Sequence, residues 1–372
     1  MVEWKKIKDI GDFYGGLSGK SKEDFSDGNA KFVTYMNVFK NEKLNTDISE
    51  TVKVGKNEKQ NKVQYSDVLF TGSSETPDEC GMSSVVCHQP KEDVYLNSFC
   101  FGLRWKDEGM FNPVFLSHFL RSSRMRKAIA RTANGVTRFN VSKKLFANIE
   151  IPIIAKEEQK RIGEELDTFT SLISKLDEEI ALRKKQYEHY RNHLLSFEGR
   201  DDVEWNEISS NCSIERGKRV VRKDLDTEGV IPVYQNSLIP LGYYSEYNCK
   251  AGKTIVIGAG SAGSVAYIDK DFWAADDCYF FSEVDVVNQK FLYYYLSKEE
   301  TFLKSQVRKG SVPRLSRTII EKVKVPLPTL SEQHQIVEEL DAMTSLISAL
   351  EQEKALRQKQ YEYYREKLLT FE

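Results

Sequence analysis

Apolar side chains recur with a seven-residue period in two segments of the chain, residues 158–198 and 332–372. In both segments they alternate at steps of three and four residues, and proline is absent. This spacing puts the apolar positions on one stripe of an α-helix and predicts coiled-coil pairing. The positions predicted to form the seam are Ile162, Leu166, Ile173, Leu176 and Ile180 in the first helix, and Ile336, Leu340, Ile347 and Leu350 in the second.

The two helical segments are copies of each other, because 27 of 41 positions are identical when they are aligned without a gap. The repeat extends more weakly upstream, where residues 2–4 match 203–205 and residues 151–153 match 325–327. Gly135 and Arg138 also match Gly310 and Arg314 if one residue is inserted. We therefore predict a duplicated plan in which a globular domain precedes each long helix. Because the second domain must return the chain to the first helix, we expect the two helices to pair in antiparallel orientation.

The globular parts predict a mixed α+β fold. Short strand patterns occur at 68–70, 99–101, 254–257 and 264–268, and helical patterns occur at 112–133 and 288–308. The predicted fold class is thus α/β of the mixed type, with two globular domains, two long antiparallel coiled-coil helices and a pseudo-twofold internal repeat. The predicted boundaries are 1–155 for the first domain, 156–198 for the first helix, 199–330 for the second domain and 331–372 for the second helix.

Composition restricts the class of protein without identifying it. The 372 residues carry 54 Lys and Arg against 56 Asp and Glu, and 40% of them are hydrophobic, which is enough for packed cores. The sequence has no apolar run of the length that a membrane span needs, and its N-terminal residues do not resemble a signal peptide. The six cysteines are scattered, so we expect a reduced, cytoplasmic protein.

Basic residues cluster just before each long helix, although the net charge is near zero. Residues 121–144 contain no acid, residues 304–324 contain one, and residues 214–223 add a third basic run. Because the first two runs occupy equivalent places in the repeat, we interpret them as phosphate-binding surfaces. The candidates for DNA contact are Arg121, Arg124, Arg131, Arg138, Lys143, Arg216, Arg219, Arg308, Arg314 and Arg317.

No motif in the sequence indicates catalysis. The segment 15–21 is one residue short of a P-loop, and the glycine-rich segment 258–263 is followed by a strand pattern rather than the helix of a dinucleotide site. The cysteines form no C-x-x-C pair that would indicate a zinc site. We therefore predict a non-catalytic chain with no catalytic residue, no bound metal and no cofactor of its own.

The repeated plan resembles the specificity subunit of type I restriction–modification systems. The resemblance rests on the two heptad helices and on Pro152 and Pro326, which lead into Glu158-Gln159 and Glu332-Gln333. It implies that each globular part is a target recognition domain that reads one half of a split double-stranded DNA sequence, with the helices fixing the gap. It also implies two modification subunits that use S-adenosylmethionine for methyl transfer, and restriction subunits that carry the motor and nuclease.

Three other interpretations of the sequence stay open at this point. The chain could be the specificity subunit of a related type II system with a fused methylase–nuclease partner. It could also be a coiled-coil scaffold whose basic faces bind protein or RNA, or an enzyme with an unrecognised site. Co-purification distinguishes these interpretations, because a complex of one copy of this chain with two methyltransferase chains supports the type I specificity subunit.

Overall fold

The structure is a computed structural model of the chain, and it describes residues 2–226, 228–282 and 285–371. The chain forms two compact units. The first unit consists of Met1–Asp177 and Gln352–Glu372, and the second unit consists of Glu178–Glu351.

The elements of the first half of the chain end in a long helix. In chain order they are β1 Glu3–Lys6, α1 Ile7–Ile10, β2 Gly11–Gly15, β3 Ala30–Val33, α2 Tyr35–Lys40, β4 Thr51–Val52, β5 Val68–Thr71, β6 Ser73–Ser74, β7 Ser83–Val85, β8 Val94–Leu96, β9 Cys100–Trp105, α3 Pro113–Leu120, α4 Ser123–Ala130, β10 Ala133–Asn134, β11 Phe139–Val141, α5 Lys143–Phe146, β12 Glu150–Ile153 and α6 Lys156–Leu194.

The second half also begins with a strand and a short helix and ends in the second long helix. Its elements are β13 Glu204–Glu207, α7 Ile208–Asn211, β14 Ile214–Arg216, β15 Ile231–Tyr234, β16 Gly242–Tyr244, β17 Lys253–Ile257, β18 Val265–Ile268, β19 Trp273–Ala274, β20 Cys278–Phe281, α8 Gln289–Lys298, α9 Glu300–Ser305, α10 Arg317–Glu321, β21 Lys324–Leu327 and α11 Leu330–Leu368. Short 3₁₀ turns lie at Lys22–Phe25 and Arg222–Asp224.

Each of the two predicted helices, at 112–133 and 288–308, is two short helices rather than one. The pattern at 112–133 is α3 and α4, because the Ser122 hydroxyl caps the first turn of α4 by accepting from the Met125 amide. The pattern at 288–308 is likewise divided into α8 and α9 at Glu299. Asn112 is the N-cap of α3, and its side-chain oxygen accepts from the amides of Val114 and Phe115.

The two units share two sheets of the same topology, and the first unit has a further three-stranded sheet in the order β10-β11-β6. The first contains a four-stranded antiparallel sheet in the order β2-β9-β5-β7 and a three-stranded sheet β4-β3-β8 in which β3 and β8 are parallel. The second contains the sheet β14-β20-β17-β18 and the sheet β16-β15-β19, in which β15 and β19 are parallel. This correspondence confirms the mixed α/β class and the duplicated plan.

A two-stranded antiparallel ribbon closes each globular part. Strand β1 pairs with β12, with Trp4 opposite Pro152, and β13 pairs with β21, with Trp205 opposite Pro326. The short segments that the sequence repeat matched are therefore partners in one ribbon. Each globular part consequently begins and ends at the same ribbon.

The long helices α6 and α11 are 39 residues each and pack together in antiparallel orientation. In the first unit the Phe169 ring stacks on Tyr364 with centroids 5.3 Å apart, and Asp177 pairs with Lys354 at 2.5 Å. Residue numbers thus rise along α6 while they fall along α11. Among the predicted seam positions, Ile162, Leu166, Ile180, Ile336 and Leu340 are buried, and Ile173, Leu176, Ile347 and Leu350 are half-buried.

A buried glutamine fixes the first turn of each long helix to its own globular domain. The Gln159 side-chain oxygen accepts from the Asn112 amide at 2.7 Å, and the Gln333 oxygen accepts from the Asn288 amide at 2.8 Å. Each side-chain amide also donates to two backbone carbonyls, and both residues are fully buried. These glutamines belong to the Glu-Gln pairs singled out in the sequence.

Candidate nucleic-acid interface

A tight hairpin, residues 308–314, carries the basic run of the second unit. Its ends are joined by hydrogen bonds from the Arg308 amide to the Arg314 carbonyl at 2.9 Å and from the Arg314 amide to the Arg308 carbonyl at 3.2 Å. The glycine loop, residues 258–263, lies beside it, because the Gly260 amide donates to Pro313 at 3.1 Å and Leu315 donates to Gly258 at 2.8 Å. The loop connects antiparallel β17 and β18, so the prediction of a hairpin rather than a dinucleotide site is confirmed.

These two segments line a groove of about 450 Å³ that is strongly basic. Among its lining residues Asp277 is the one acid. Arg314 lies 3.5 Å from the Asp277 carboxylate, so a single carboxylate opposes several exposed cations. The basic side chains in the groove are Arg216, Arg308, Lys309, Arg314 and Arg317.

The first unit contains the equivalent hairpin, residues 134–140, between β10 and β11. Strand β11 pairs with β6, which places Asn140 opposite Ser73. The Arg138 guanidinium donates to the Ser73 hydroxyl at 3.0 and 3.1 Å and lies 5.8 Å from the centre of the Phe99 ring. The hairpin is therefore held against the 72–74 loop as its counterpart is held against the glycine loop.

The groove beside this first hairpin, of about 520 Å³, is more aromatic and less basic than that of the second unit. Phe99 is 60% exposed and Met36 is 47% exposed, so apolar surface is presented to solvent here. The residues that line it are Tyr35, Met36, Phe39, Ser73, Ser74, Glu75, Glu79, Phe99, Thr137 and Arg138.

The strand registers change the residue-by-residue match between the two hairpins. Arg314 lies opposite Ala259, and Asn140 lies opposite Ser73 in the corresponding ladder. The structural equivalent of Arg314 is therefore Asn140 rather than Arg138, the match given by the sequence. Lys143 and Arg317 are equivalent, since each is the first residue of a short helix capped by a serine.

Arg121 stabilises the fold of the first unit through hydrogen bonds to backbone carbonyls. Its guanidinium donates to the Ser83 carbonyl at 2.5 Å and to three carbonyls at the C-terminal end of α2, those of Val38, Phe39 and Asn41. Such carbonyls lack partners within a helix, so the arginine satisfies them. Burial lowers the pKa of Arg121. Because these donors are already engaged, Arg121 is not available to contact a phosphate.

The other predicted residues lie on the surface, with different neighbours. The Arg124 guanidinium covers the Trp4 ring at 4.2 Å, and the Lys143 ammonium lies 5.2 Å from the Phe101 ring centre. Arg131 and Arg219 are exposed and make no side-chain hydrogen bond or ion pair with the residues that the structure describes. The sequence interpretation had not singled out Lys309 or Phe99, which line the two grooves.

Two observations concern metal binding and thiol reactivity in the described part of the chain. It contains no group of three or more His, Cys, Asp or Glu residues placed to hold a metal ion. Burial raises the pKa of the Cys87 and Cys100 thiols to about 12, so they are not thiolate nucleophiles at neutral pH. Within residues 2–226, 228–282 and 285–371, no helix is long and apolar enough to cross a membrane.

Comparison with known proteins identifies relatives along most of the chain. The family model for the type I restriction modification DNA specificity domain matches residues 1–182 and again residues 201–358. A Haemophilus influenzae protein assigned as a type I restriction enzyme specificity subunit is 32% identical over 70% of this chain and 72% of its own length. A type I restriction enzyme specificity subunit from Escherichia coli is 30% identical over 57% of this chain and 59% of its own length.

Solved structures share the fold at low sequence identity. The crystal structure of a type I restriction–modification S subunit from M. genitalium covers all of this chain and 97% of its own, with a TM-score of 0.67 and 17% identity. A chain from a study of complex assembly in the type I restriction–modification system covers 99% of this chain and 97% of its own, with a TM-score of 0.61 and 16% identity. The family model matches the chain twice, and the two matches follow the same repeat as the two hairpins and grooves. The chain therefore belongs to the type I restriction–modification DNA specificity family, whose members are non-catalytic specificity subunits.

Proposed function

We propose that this specificity subunit reads a bipartite double-stranded DNA target, one half with each globular domain. The main support for this proposal is that both units contain, at the same place in the repeat, a hairpin packed against a loop of small residues. Each hairpin is followed by a serine-capped cation, Lys143 or Arg317. Exposed cations of this kind bind phosphates and fix the orientation of a duplex.

The DNA-facing set that we propose combines exposed basic residues of both units. In the second unit the groove brings five of them together, and in the first unit the exposed cations are spread over α4, the hairpin and α5. The proposed set is Arg124, Arg131, Arg138, Lys143, Arg216, Arg219, Arg308, Lys309, Arg314 and Arg317.

We further propose that the long helices set the distance between the two half-sites. A helix of 39 residues extends about 58 Å at ~1.5 Å per residue. Ion pairs along it, such as Lys184 with Glu351 at 2.7 Å, favour one register of the antiparallel pair. A fixed register gives a fixed length, which a spacer of constant size requires.

The partners that we propose are two modification subunits, docked on equivalent surfaces of the two helices. Exposed leucines support this, because they recur at the same places in both copies of the repeat. Leu182 is 61% exposed and its counterpart Leu356 is 62% exposed, while Leu172 and Leu346 are 37% and 43% exposed. Large apolar side chains presented to solvent at matched positions indicate two copies of one protein partner.

In the assembled complex the modification subunits would bind S-adenosylmethionine and transfer the methyl group, and restriction subunits would add the motor and nuclease. The test is methylation by the complex of this chain with its modification subunits on a DNA library with two randomised half-sites and a randomised spacer. We expect one bipartite consensus with a constant gap. A contiguous consensus, or none, would contradict the proposal.

A further inference from the structure

Both units place cations in the hairpin or directly after it, but phosphate-binding cations cannot account for different half-sites. Phosphate contacts position a protein on DNA, whereas base-edge contacts specify the sequence. The base-reading residues should therefore lie beside each hairpin, on an element whose structure differs between the units. One element in each unit meets both conditions.

This element is the segment that directly follows the parallel strand β3 or β15. In the first unit it is α2, where the Tyr35 hydroxyl donates to the Ser73 carbonyl at 2.7 Å. In the second unit it is the loop 235–241, where the Asn236 carbonyl accepts from the Ser261 amide at 2.9 Å. Both segments thus pack on the loop that supports the hairpin.

Gly260 joins the loop 235–241 to the hairpin in the second unit. Its φ is +78°, and a Cβ at this position would lie 2.6 Å from the Asn236 carbonyl oxygen. The Gly260 amide meanwhile donates to Pro313 in the hairpin. Gly260 therefore lies between Asn236 and the basic hairpin and contacts both.

The side chains presented by the two segments are different. The first unit presents Met36 beside exposed Phe99. The second unit presents exposed Asn236, whose side-chain amide makes no hydrogen bond to any residue that the structure describes, followed by Leu238 and Ile239, which are 38% and 78% exposed. A free amide can donate and accept at once, as the adenine edge requires, and an apolar side chain can contact a thymine methyl group.

We propose that the segment after the parallel strand is the base-reading element of each domain, and that in the second unit Asn236 contacts a base edge and prefers adenine. Leu238 and Ile239 form the apolar part of the same surface. In the first unit, Met36 in α2 and the neighbouring Phe99 ring form the apolar surface that contacts the bases. This inference rests on the proposed function, since it assigns specificity within the DNA interface described above.

The test compares variants of the full chain, assembled with its modification subunits, by methylation of the library with randomised half-sites. Asn236→Ala should relax preference at one position of one half-site by about 10- to 100-fold, the usual discrimination of one bidentate base contact. Asn236→Asp should move that preference toward cytosine, whose amino group donates to a carboxylate. The half-site read by the other unit should not change, and Met36→Ala should alter only that other half.

Two control variants separate base reading from other effects. Arg314→Ala should weaken binding to all sequences without changing the consensus, because it removes a phosphate contact. Val230→Ala changes a side chain that is 79% exposed at the far end of β15 and should leave both binding and consensus unchanged. If Asn236→Ala and Asn236→Asp keep the parental consensus, the assignment is wrong while the proposed function stands. If the unaltered complex selects no sequence, the proposed function fails and this inference fails with it.

Discussion

The imidazole of His118 in α3 lies with its Nε2 atom 2.8 Å from the carboxylate of Asp167 in α6. At the same place in the second unit, the Tyr294 hydroxyl donates to Asp341 at 2.6 Å. Both units therefore attach the long helix to the globular domain through the same aspartate of the repeat. The first unit uses a group that titrates near neutral pH, and the second does not.

This difference predicts a pH dependence confined to the first unit. Burial of His118 opposes its charged form, but the nearby carboxylates of Asp167 and Glu42, at 2.8 and 3.5 Å, outweigh burial and raise its pKa. Lys43, Arg121, Tyr361 and Arg365 are the other ionisable groups around this pair of carboxylates. A group with a raised folded pKa stabilises fully below its unfolded value of about 6.5, and this contribution disappears as pH rises through the folded pKa. We expect the hydrogen-exchange protection factors of α3, which are corrected for the intrinsic rise of amide exchange with pH, to fall over that range.

The second unit supplies the control for this prediction. His118→Tyr reproduces the residue found at 294 and should abolish the pH dependence of the hydrogen-exchange protection factors in α3 above about pH 6.5. Exchange in α8 should show the same pH response in parent and variant. An unaltered response of α3 in His118→Tyr would mean that another group is responsible.

Loss of a buried glutamine should destabilise the chain strongly. Gln159→Ala leaves the Asn112 amide and two carbonyls without partners, at about 1–3 kcal/mol for each unsatisfied group. Denaturant unfolding should therefore show a decrease of several kcal/mol. Gln358→Ala, an exposed position on α11, is the matched control and should be nearly neutral.

The exposed leucines should matter for assembly and not for folding. Leu182→Asp combined with Leu356→Asp should leave helix content and the unfolding midpoint unchanged but abolish co-purification with the modification subunit. Leu166→Asp provides the contrast, because Leu166 is fully buried and burying an unpaired carboxylate costs several kcal/mol. Full complex formation by the double variant would exclude these leucines from the docking surface.

DNA binding by the assembled complex should weaken steeply with salt. Each phosphate that a cation neutralises contributes about 0.9 to the slope of log K against log salt concentration on duplex DNA. Arg314→Ala should lower that slope by about 1. Lys270→Ala removes an equal charge at an exposed position outside the groove and should leave the slope unaltered. Equal slopes for Arg314→Ala and the parent would remove Arg314 from the interface.

Lengthening the helices should change the spacer and leave the half-sites alone. One heptad inserted in both α6 and α11 keeps their register and adds about 10 Å. That corresponds to roughly three base pairs at ~3.4 Å each, but it also rotates the far half-site by about a third of the ~10.5-pair turn. We expect weak methylation at spacers two to four pairs longer. An unchanged spacer preference in a folded, assembled variant would assign the gap to the partners.

The sequence predicted the long helices well and the interface only partly. A heptad pattern is local and repetitive, so Leu166 and Leu340 could be placed on a buried seam without knowledge of the tertiary fold. The role of an arginine depends on what surrounds it. Arg121 and Arg131 belong to the same basic run, yet one satisfies buried carbonyls and the other is exposed. Those carbonyls come from residues about 80 positions away along the chain, beyond the reach of a local pattern.

The residue equivalence that the sequence suggested for the two hairpins was wrong for a related reason. Glycine and arginine suggested that Arg138 and Arg314 are equivalent, but hydrogen-bond registers with β6 and the glycine loop set the true correspondence. Asn236 carried no signal in the sequence, because its position beside the hairpin depends on contacts with residues 260 and 261.

The ribbon of β13 and β21 gives the second globular domain the topology of an insertion. Glu204 pairs with Leu327 where the chain arrives from α6 and departs toward α11, so the two connections are about 5 Å apart. A two-residue Asn-Gly turn could join the strands in place of residues 208–323. The remaining chain would be a helical hairpin with a short β tip, onto which a recognition domain of different length could be grafted without altering either helix.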